Sequence, residues 1–387
     1  MTRLHATIER LCTAWFPRNS PITLLLEDSI AKRVVHTCLR VHEDDMVLIE
    51  TWQHTIDLAS EIALECYRTG AKPLITLNTD RLWWGTLAEI PEQYMRKIPR
   101  HVLSAVDNVT VWIALGGPED PSKFRDVPAS RLEILFEGDK PVLDKTFEKK
   151  VRTAELLLGH VTQQRAKAYG FDYDRWLKMT EEAIRVDYPK LAELGRKVAL
   201  RLERGSKVHI TSRGGTDVRF EITKRPVHVQ DGIVDQADVE RGLVSTQLPS
   251  GKVEVAPLEE SARGTVVYDV PRALKGRLIQ ELRLDFEKGR IKEFRARKYE
   301  EVFREVFEAT QGDRDRIAQF TIGLNPKVDL IGYTTDELSL GTVTIGVGAN
   351  KGIGGKNDSS FTFSGTITKP TVEIDGQTIM VDGRMTL

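Results

Sequence analysis

The stretch that decides the fold is MVLIETWQHTIDLASEIALECYRTGAKPLITLN, residues 46–78. MVLIET at its start and PLITLN at its end are short apolar runs, which are typical of buried strands. Between them, DLASEIALECYRTGA predicts a helix that ends at Gly70, because glycine readily adopts the left-handed backbone found at helix C-termini. A strand, a helix and a second strand joined by short links predict parallel pairing in an α/β layer.

The sequence on either side extends this layer. SIAKRVVHTCLRV (29–41) has the pattern of an amphipathic helix, and VTVWIAL (109–115) is a further apolar strand. Gly116-Gly117-Pro118, followed by the polar EDPSKFRD, is a plausible domain boundary. We therefore predict an α/β N-terminal domain, a parallel sheet with flanking helices, over residues 1–118.

The second half of the chain has a different pattern. Residues 145–204 read as helical, and after Gly205 short β runs such as VHITS, DVRFEI, GLVSTQL and TVTIGVG are separated by Gly, Asp-Gly or Pro. One helical stretch, KYEEVFREVFEATQGDRDRIAQF (298–320), interrupts them. This succession of helical segments and short β runs predicts a larger α+β C-terminal domain with a mostly antiparallel sheet over residues 119–387.

Composition excludes several classes of function. The 387 residues carry a net charge of −1 and contain no run of about eighteen apolar residues, so we expect neither nucleic-acid binding nor a membrane span. The N-terminus MTRLHATIERLCTAWF is too polar for a signal peptide, and Cys12, Cys38 and Cys66 suit reduced thiols in the cytoplasm. From Val229 onward there is neither His nor Cys, so a metal site in that segment would rest on oxygen ligands alone.

The glycine-rich stretch KGIGGKNDSSFTFSG (351–365) fits no phosphate-binding motif, because Gly355-Lys356 is followed by Asn357 and the first glycine of the motif is missing. The chain also lacks the Gly-x-Ser-x-Gly pattern of a nucleophile elbow. The simplest interpretation is a flexible turn that enters a strand. In that strand Phe361 and Phe363 form an apolar face, and hydroxyl side chains line the other face.

Several strings occur together in one order: GGTDVRFEI (214–222), LPSGKVEVAP (248–257), RIAQFTIG (316–323), DELSLGTVTIG (336–346), GGKNDSSFTFSGTI (354–367) and DGQTIMVDGRM (375–385). Together with RVVHTCLRVHEDDMVLIET and the YRTGAK turn of the first half, they resemble the aminopeptidase T / aminopeptidase S family of thermophilic metallo-aminopeptidases. The resemblance covers most of the chain and is weakest between about 120 and 190. It implies a metallo-aminopeptidase fold and a homodimer.

The same resemblance implies that the family's metal ligands and catalytic tyrosine are replaced. The position of the first metal-binding glutamate is Lys252, and the next carboxylate position, on a helix, is Gln319. A metal-binding histidine corresponds to Thr342, or to Thr344 if a loop is longer, and the catalytic tyrosine falls near Ala349. The remaining His-x-Asp pair corresponds to Thr362 and Ser364.

These replacements remove the carboxylates that two cations would hold together, and Lys252 adds a cation. We predict that Lys252 pairs with a nearby acid such as Glu254, Glu259 or Glu337; the alternative is that it points to solvent. Lys252 and Glu254 are the candidate catalytic residues. The predicted ligand-binding cleft contains the residues Gln319, Thr342, Thr344, Asn357, Ser360, Thr362 and Ser364. We expect no metal ion and no other cofactor.

Four functions remain open from the sequence. The protein could bind a small polar ligand or a peptide-like group in the predicted ligand-binding cleft. It could instead perform metal-free chemistry with Lys252 as a general base or an electrostatic stabiliser. It could instead be a non-catalytic dimeric partner protein. The fourth possibility is a genuine leucyl-type metallo-aminopeptidase, which the missing ligands disfavour.

Overall fold

The structure, a computed structural model, describes residues 29–275 and 277–387. The prediction about a signal peptide at the N-terminus concerns residues outside this range, and so does Cys12. The other two cysteines, Cys38 and Cys66, are buried free thiols. No helix in the described part of the chain has the length and apolar character needed to cross a bilayer.

The helices and strands follow one another with short links. The helices are α1 Ile30–Lys32 (continued by a π-helical turn, Arg33–Cys38), α2 Ile56–Thr69, α3 Asp80–Glu89, α4 Glu92–Met95, α5 Arg100–Ala105, α6 Ala129–Glu148, α7 Gln163–Tyr169, α8 Tyr173–Ile184, α9 Tyr188–Arg204, α10 Gln236–Arg241 and α11 Glu300–Ala309. The strands are β1 Met46–Trp52, β2 Lys72–Asn78, β3 Val111–Ala114, β4 Arg152–Leu156, β5 Lys207–Thr211, β6 Asp217–Glu221, β7 Val227–Gln230, β8 Ser245–Leu248, β9 Lys252–Val255, β10 Arg263–Tyr268, β11 Arg272–Leu274, β12 Arg277–Ile279, β13 Leu282–Glu287, β14 Arg290–Arg295, β15 Ile317–Gly323, β16 Val343–Gly348, β17 Thr362–Ile367, β18 Thr371–Ile374, β19 Gln377–Val381 and β20 Arg384–Met385.

The predicted α/β layer is confirmed as a parallel sheet with the strand order β2-β1-β3-β4-β8. Helix α2 connects β1 to β2 and ends, as expected, at Gly70, whose φ of 94° is left-handed. Two strands of this sheet, β4 and β8, come from beyond residue 118. The division of the chain at residue 118 stays a prediction, and the parallel sheet receives strands from both sides of it.

One predicted segment is wrong in type, and another is a strand as predicted but pairs in the other half of the molecule. The stretch 145–204 is not helical throughout, because Arg152–Leu156 is strand β4. The sequence RTAEL favours a helix by propensity, but its backbone pairs on both sides, with β3 and β8, in the sheet interior. GLVSTQL does not join the antiparallel half, since its strand β8 pairs in parallel with β4.

The C-terminal half is mostly antiparallel, as predicted. One sheet has eight strands in the order β14-β13-β10-β6-β5-β18-β19-β20, and a second has five in the order β17-β16-β15-β9-β7. A small ribbon pairs β11 with β12. The helix predicted over 298–320 is only partly correct: α11 ends at Ala309, and RIAQF contributes to strand β15.

A continuous apolar core joins these layers. Phe220 of the eight-stranded sheet and Phe320 of the five-stranded sheet meet with ring centroids 5.3 Å apart, so the two sheets pack face to face. Helix α9 packs on β7 and β9, where a side chain at Gly195 would come within 2.6 Å of Val229. Buried side chains of the parallel sheet belong to the same core cluster. Because the five-stranded sheet buries one face here, its other face is left for polar side chains.

Candidate functional site

A cleft of about 550 Å³ lies on that polar face of the five-stranded sheet, beside the end of parallel strand β8. Most of its lining residues have polar or charged side chains. The lining residues are Gln247, Lys252, Glu254, Arg272, Gln319, Thr334, Glu337, Ala349, Asn350, Lys351, Gly352, Ile353, Asn357, Asp358, Ser359, Thr362 and Ser364. A volume of this size is in the range of small-molecule sites.

Strand register explains why distant sequence strings meet here. Antiparallel pairing aligns Glu254 with Thr321, and Gln319 with Gly346, which is in turn aligned with Ser364. Alternate residues of a strand point to the same face, so these side chains share one surface. The residues between them, such as Phe320, point into the core. The alternation predicted for the strand after the glycine-rich turn is thus confirmed: Phe361 and Phe363 are buried against Phe303 of α11.

The centre of the cleft floor is the ammonium group of Lys252. Its Nζ lies 3.1 Å from Oε2 of Glu254 and 2.9 Å from Oε1 of Glu337. Lys252 is only 7% exposed, so the alternative that it points to solvent is wrong. Of the three acids proposed as partners, Glu259 is not used, because it pairs with Arg225.

The charge state of Lys252 follows from this arrangement. Burial alone would lower the pKa of the ammonium group, but the charges of Glu337 and Glu254 and the hydrogen bonds to them outweigh burial and raise the pKa of Lys252 above its ordinary value. A general base must release its proton near the working pH. Lys252 therefore keeps its proton and acts in this cleft as a fixed positive charge.

Gln319 completes the floor as a hydrogen-bond donor. Its Nε2 donates to Glu254 Oε2 at 3.1 Å and to Thr321 Oγ1 at 2.8 Å, with a longer contact of 3.4 Å to Glu337 Oε2. Gln319 lies on strand β15, not on the helix that the resemblance implied. Gly346 leaves it room, because a Cβ there would come within 3.0 Å of the Gln319 amide oxygen.

Asn357 serves mainly to fix the glycine-rich loop. Its Nδ2 donates to the carbonyl oxygens of Ile317 and Gly348, both at 2.9 Å, and its backbone N–H donates to Asn350 Oδ1 at 2.8 Å. These bonds tie the loop to strands β15 and β16. The side-chain nitrogen of Asn357, which was predicted to belong to the ligand-binding cleft, thus donates to backbone acceptors.

Three predicted cleft residues do not line the cleft. Thr342 precedes strand β16 and donates to the Ser339 carbonyl at 2.8 Å. Thr344 lies on the polar face but deeper, 1% exposed, with its hydroxyl 3.0 Å from that of Thr366. Ser360 is exposed just before strand β17. In contrast, the structure brings Lys252, Glu254, Gln319, Asn357, Thr362 and Ser364 together.

Four charged residues of the cleft were not predicted as part of the site: Arg272, Glu337, Lys351 and Asp358. Glu337 was considered only as a partner for Lys252, and Arg272 was not considered at all. Glu337 belongs to a 3₁₀ turn, Thr334–Leu338, and Arg272 belongs to the small ribbon. Neither lies on the five-stranded sheet, so its alternating pattern gave no signal for them. Glu337 lies within one of the strings that carried the family resemblance, DELSLGTVTIG.

Asp336 holds the turn that presents Glu337. Its carboxylate oxygens accept hydrogen bonds from the backbone N–H groups of Ile331, at 2.9 Å, and Gly332, at 2.7 Å. Burial raises the pKa of Asp336 to about 6, because these backbone donors offset only part of the lost hydration. The carboxylate has no bonded cation among the described residues, unlike Glu337 beside it.

The donor set does not fit the pair of metal ions that the family resemblance implies. The two carboxylates of the floor share the ammonium group of Lys252, which has no lone pair to give a metal, and Gln319 presents its NH₂ group to them. Thr362 and Ser364 supply neutral hydroxyls. Across the described residues, no group of three or more His, Cys, Asp or Glu side chains is arranged to hold a metal ion.

Comparison with known proteins is consistent with the fold and the strings. The family model of the thermophilic metalloproteases (M29) matches residues 26–326. Aminopeptidase T of Thermus thermophilus is 25% identical over 309 residues, 74% of this chain and 74% of the relative. Aminopeptidase T of Thermus aquaticus is 24% identical over 308 residues, with the same two shares.

Two solved structures share the fold. Wild-type AmpT from Thermus thermophilus superposes with a TM-score of 0.74 and 20% identity, and the match covers 93% of this chain and 98% of that one. The 2,5-dihydroxypyridine dioxygenase of Pseudomonas putida KT2440 superposes with a TM-score of 0.62 and 13% identity, covering 93% and 96%. At these identities the likeness concerns architecture.

Proposed function

The chain belongs to the family of M29 thermophilic metalloproteases, and from this premise we propose that it binds the amino group of an amino-acid-like or peptide-like ligand without a metal ion. The Glu337 carboxylate accepts a hydrogen bond from the ligand's ammonium group, and Lys252 supplies the fixed positive charge at the centre of the floor. The observation that carries this proposal is the position of the Lys252 ammonium between two carboxylates.

The charge of the floor supports a cationic ligand. Lys252 contributes one positive charge, and Glu254 and Glu337 contribute two negative charges when ionised. One carboxylate charge of the floor is therefore left without a bonded cation, although Arg272 elsewhere in the cleft carries a positive charge. A surplus of one sign in such a cleft attracts ligands of the opposite sign.

Hydrogen-bond capacity identifies which carboxylate is open. Glu254 is committed: Gln230 donates to its Oε1 at 2.5 Å, and both Gln319 and Lys252 contact its Oε2 at 3.1 Å. Glu337 bonds to Lys252 through Oε1, while its Oε2 has, among the residues that the structure describes, only the 3.4 Å contact from Gln319. Its side chain is also more exposed, at 16% against 5% for Glu254. Glu337 is thus the better acceptor for a ligand.

The wall of the cleft adds neutral orienting groups. The hydroxyls of Thr362 and Ser364 line the cleft and bond to no other described residue. Free hydroxyls in a cleft can donate to or accept from the polar groups of a ligand, and such groups give a binding site its specificity. They suit the amide and carbonyl groups of a peptide.

The names of the relatives favour a second candidate, an active metallo-aminopeptidase. The side chains of the floor argue against this candidate, because they offer no set of metal ligands. The raised pKa of Lys252 argues separately against a role of Lys252 as a general base. An electrostatic role for Lys252 and Glu254 in metal-free chemistry remains compatible with the geometry. We also keep as proposals a cytoplasmic location, from the cysteine content, and a homodimer, from the family resemblance.

Calorimetric titration of the purified full chain at pH 7 with leucinamide and with N-acetyl-leucinamide tests the proposal. We expect leucinamide to bind and the acetylated compound, which has no ammonium group, to fail. Glu337→Gln should weaken leucinamide binding about 10-fold or more, the effect of losing one charge-assisted hydrogen bond. Asp358→Asn is the matched control, because Asp358 is an acid of the same cleft that pairs with Lys351.

Three results would overturn the proposal. Equal affinity for the two compounds would remove the ammonium site, and an equal effect of the two substitutions would remove the role of Glu337. Stoichiometric zinc, cobalt, manganese or iron in the purified protein, with hydrolysis of leucinamide, would establish the metallo-aminopeptidase instead.

A further inference from the structure

We infer that the ligand of this cleft carries a carboxylate as well as an ammonium group, and that Arg272 binds the carboxylate. The ligand class is then a free amino acid or a short peptide with an unblocked C-terminus. This inference rests on the proposed ammonium site at Glu337 and adds a second recognition point to it.

The first step is the state of Arg272. Its side chain lines the cleft from ribbon strand β11 and is half-buried. No described residue forms a hydrogen bond or an ion pair with its guanidinium group, so neither Glu254 nor Glu337 is within ion-pair distance of it. Lys351, by contrast, is neutralised by Asp358 at 2.9 Å. A half-buried guanidinium without a bonded acid is costly unless something else supplies the counter-charge.

The second step explains why a neighbouring acid does not supply it. Asp336 is close enough to interact electrostatically with Arg272. However, its two oxygens accept from the backbone N–H groups of Ile331 and Gly332. These bonds hold the turn that carries Glu337, so the Asp336 carboxylate is committed to structure. The guanidinium is left facing the cleft with its donors available.

The third step is the match between the two ends of the site. The floor at Lys252, Glu254 and Glu337 has a surplus of one negative charge, and Arg272 adds one positive charge at a separate point of the same cleft. A zwitterion satisfies both. Guanidinium donors are planar and bind a carboxylate through two parallel hydrogen bonds, which favours this group over a single-point acceptor. The cleft volume of about 550 Å³ is large enough for a dipeptide.

Calorimetric titration of the full chain with Leu-Gly, leucyl-glycinamide and N-acetyl-Leu-Gly tests the inference. For the unaltered protein we expect Leu-Gly to bind about 10-fold or more tightly than leucyl-glycinamide, the effect of one charge-assisted contact. Arg272→Gln should remove this preference while leaving the affinity for leucyl-glycinamide within about 2-fold. Arg272→Lys keeps the positive charge but not the two parallel N–H donors of the guanidinium group, so it should keep part of the preference for Leu-Gly.

Arg277→Gln is the matched control, because Arg277 lies on the partner strand β12 of the same ribbon and stacks on Tyr299 outside the cleft. It should keep the full preference for Leu-Gly. A thermal melt of each variant separates lost binding from lost folding.

The outcomes distinguish this inference from the proposed function. If Leu-Gly and leucyl-glycinamide bind equally, or if the preference survives Arg272→Gln, the carboxylate site is overturned and the ammonium site stands. If N-acetyl-Leu-Gly binds as tightly as Leu-Gly, the ammonium site is overturned. If orthophosphate binds more tightly than N-acetyl-Leu-Gly and depends on Arg272, the anion is a phosphate and the peptide assignment is overturned.

Discussion

Two regions of the molecule place a basic side chain between two carboxylates, and they differ in burial. In the cleft, Lys252 lies 3.1 Å and 2.9 Å from its acids, and its side chain is 9% exposed. On the outer face of the eight-stranded sheet, His209 lies 2.9 Å from Asp217 and 3.2 Å from Glu373. Its side chain is 24% exposed, and that of Asp217 is 61% exposed.

The difference shows that the distance between two charged groups does not by itself determine how much their ion pair contributes to stability. Near the surface, water and salt screen the charges, so an exposed pair contributes between 0 and about 1 kcal/mol. In a desolvated cleft, removing one partner leaves the others as unpaired buried charges, which costs several times more. The cleft floor of this protein therefore depends on Lys252 in a way that the outer sheet does not depend on His209.

The largest expected effect is the loss of Lys252. Lys252→Met leaves Glu254 and Glu337 facing each other without a cation, so the free energy of unfolding should fall by about 3–5 kcal/mol at pH 7. Urea denaturation measures this. The control is Lys351→Met, an exposed lysine of the same cleft that pairs with Asp358, and it should cost less than about 1 kcal/mol.

A compensating variant checks the physical reason. Adding Glu254→Gln and Glu337→Gln to Lys252→Met removes the unpaired charges, so part of the lost stability should return. A loss below about 1 kcal/mol for Lys252→Met alone would show that the cluster behaves like the exposed one on the outer sheet.

The next effect concerns Asp336, a buried carboxyl of the same site without a bonded cation. Its pKa is raised from 3.8 to about 6, so the folded state binds the proton more tightly than the unfolded state does. The contribution of Asp336 is thus fully present below pH 3.8 and is lost as the pH rises to about 6. The total change is about 3 kcal/mol, at 1.36 kcal/mol for each pKa unit.

Asp336→Asn removes this titration. The free energy of unfolding of the unaltered protein, minus that of the variant, should fall between pH 4 and pH 6 and then stay level, in urea titrations at each pH. The control for removing an aspartate is Asp329→Asn, an exposed residue that pairs with Arg175. A difference that rises with pH over that range would contradict a carboxyl whose pKa is raised by burial.

The smallest effect belongs to the outer sheet. His209→Ala should change the free energy of unfolding by less than about 1 kcal/mol at pH 6, and 1 M NaCl should reduce that change further. For Lys252→Met in the same salt, most of the decrease in the free energy of unfolding should remain, because salt screens the charges of a buried cluster only weakly. A salt-insensitive loss above about 2 kcal/mol for His209→Ala would remove the contrast between the two regions.

The sequence predicted elements best where local pattern and tertiary context agree. The β1–α2–β2 unit was predicted with its end at Gly70, since apolar runs and a helix-ending glycine act locally. The buried face of Phe361 and Phe363 was predicted from strict alternation. Strand β4 was missed because RTAEL has helix-forming residues, and its pairing in the sheet overrides that preference.

The candidate site was predicted only in part, because local pattern indicates which residues are present but not how the folded chain brings them together. Lys252 and its possible partners Glu254 and Glu337 were identified from the sequence, but their order around the ammonium group and the exclusion of Glu259 required the folded chain. Arg272 lies in DVPRALKG, which has no pattern that points to a cleft. Its position depends on how a short ribbon packs beside the turn of Glu337.

The sequence by itself determined the family and the two kinds of sheet, because these depend on local pattern and on the order of strings. Only the tertiary structure decided that Lys252 keeps its proton between two acids, that Glu337 has an open oxygen and that Arg272 faces the cleft. Charge interactions depend on distance and on exposure to water, and neither quantity exists until the chain folds.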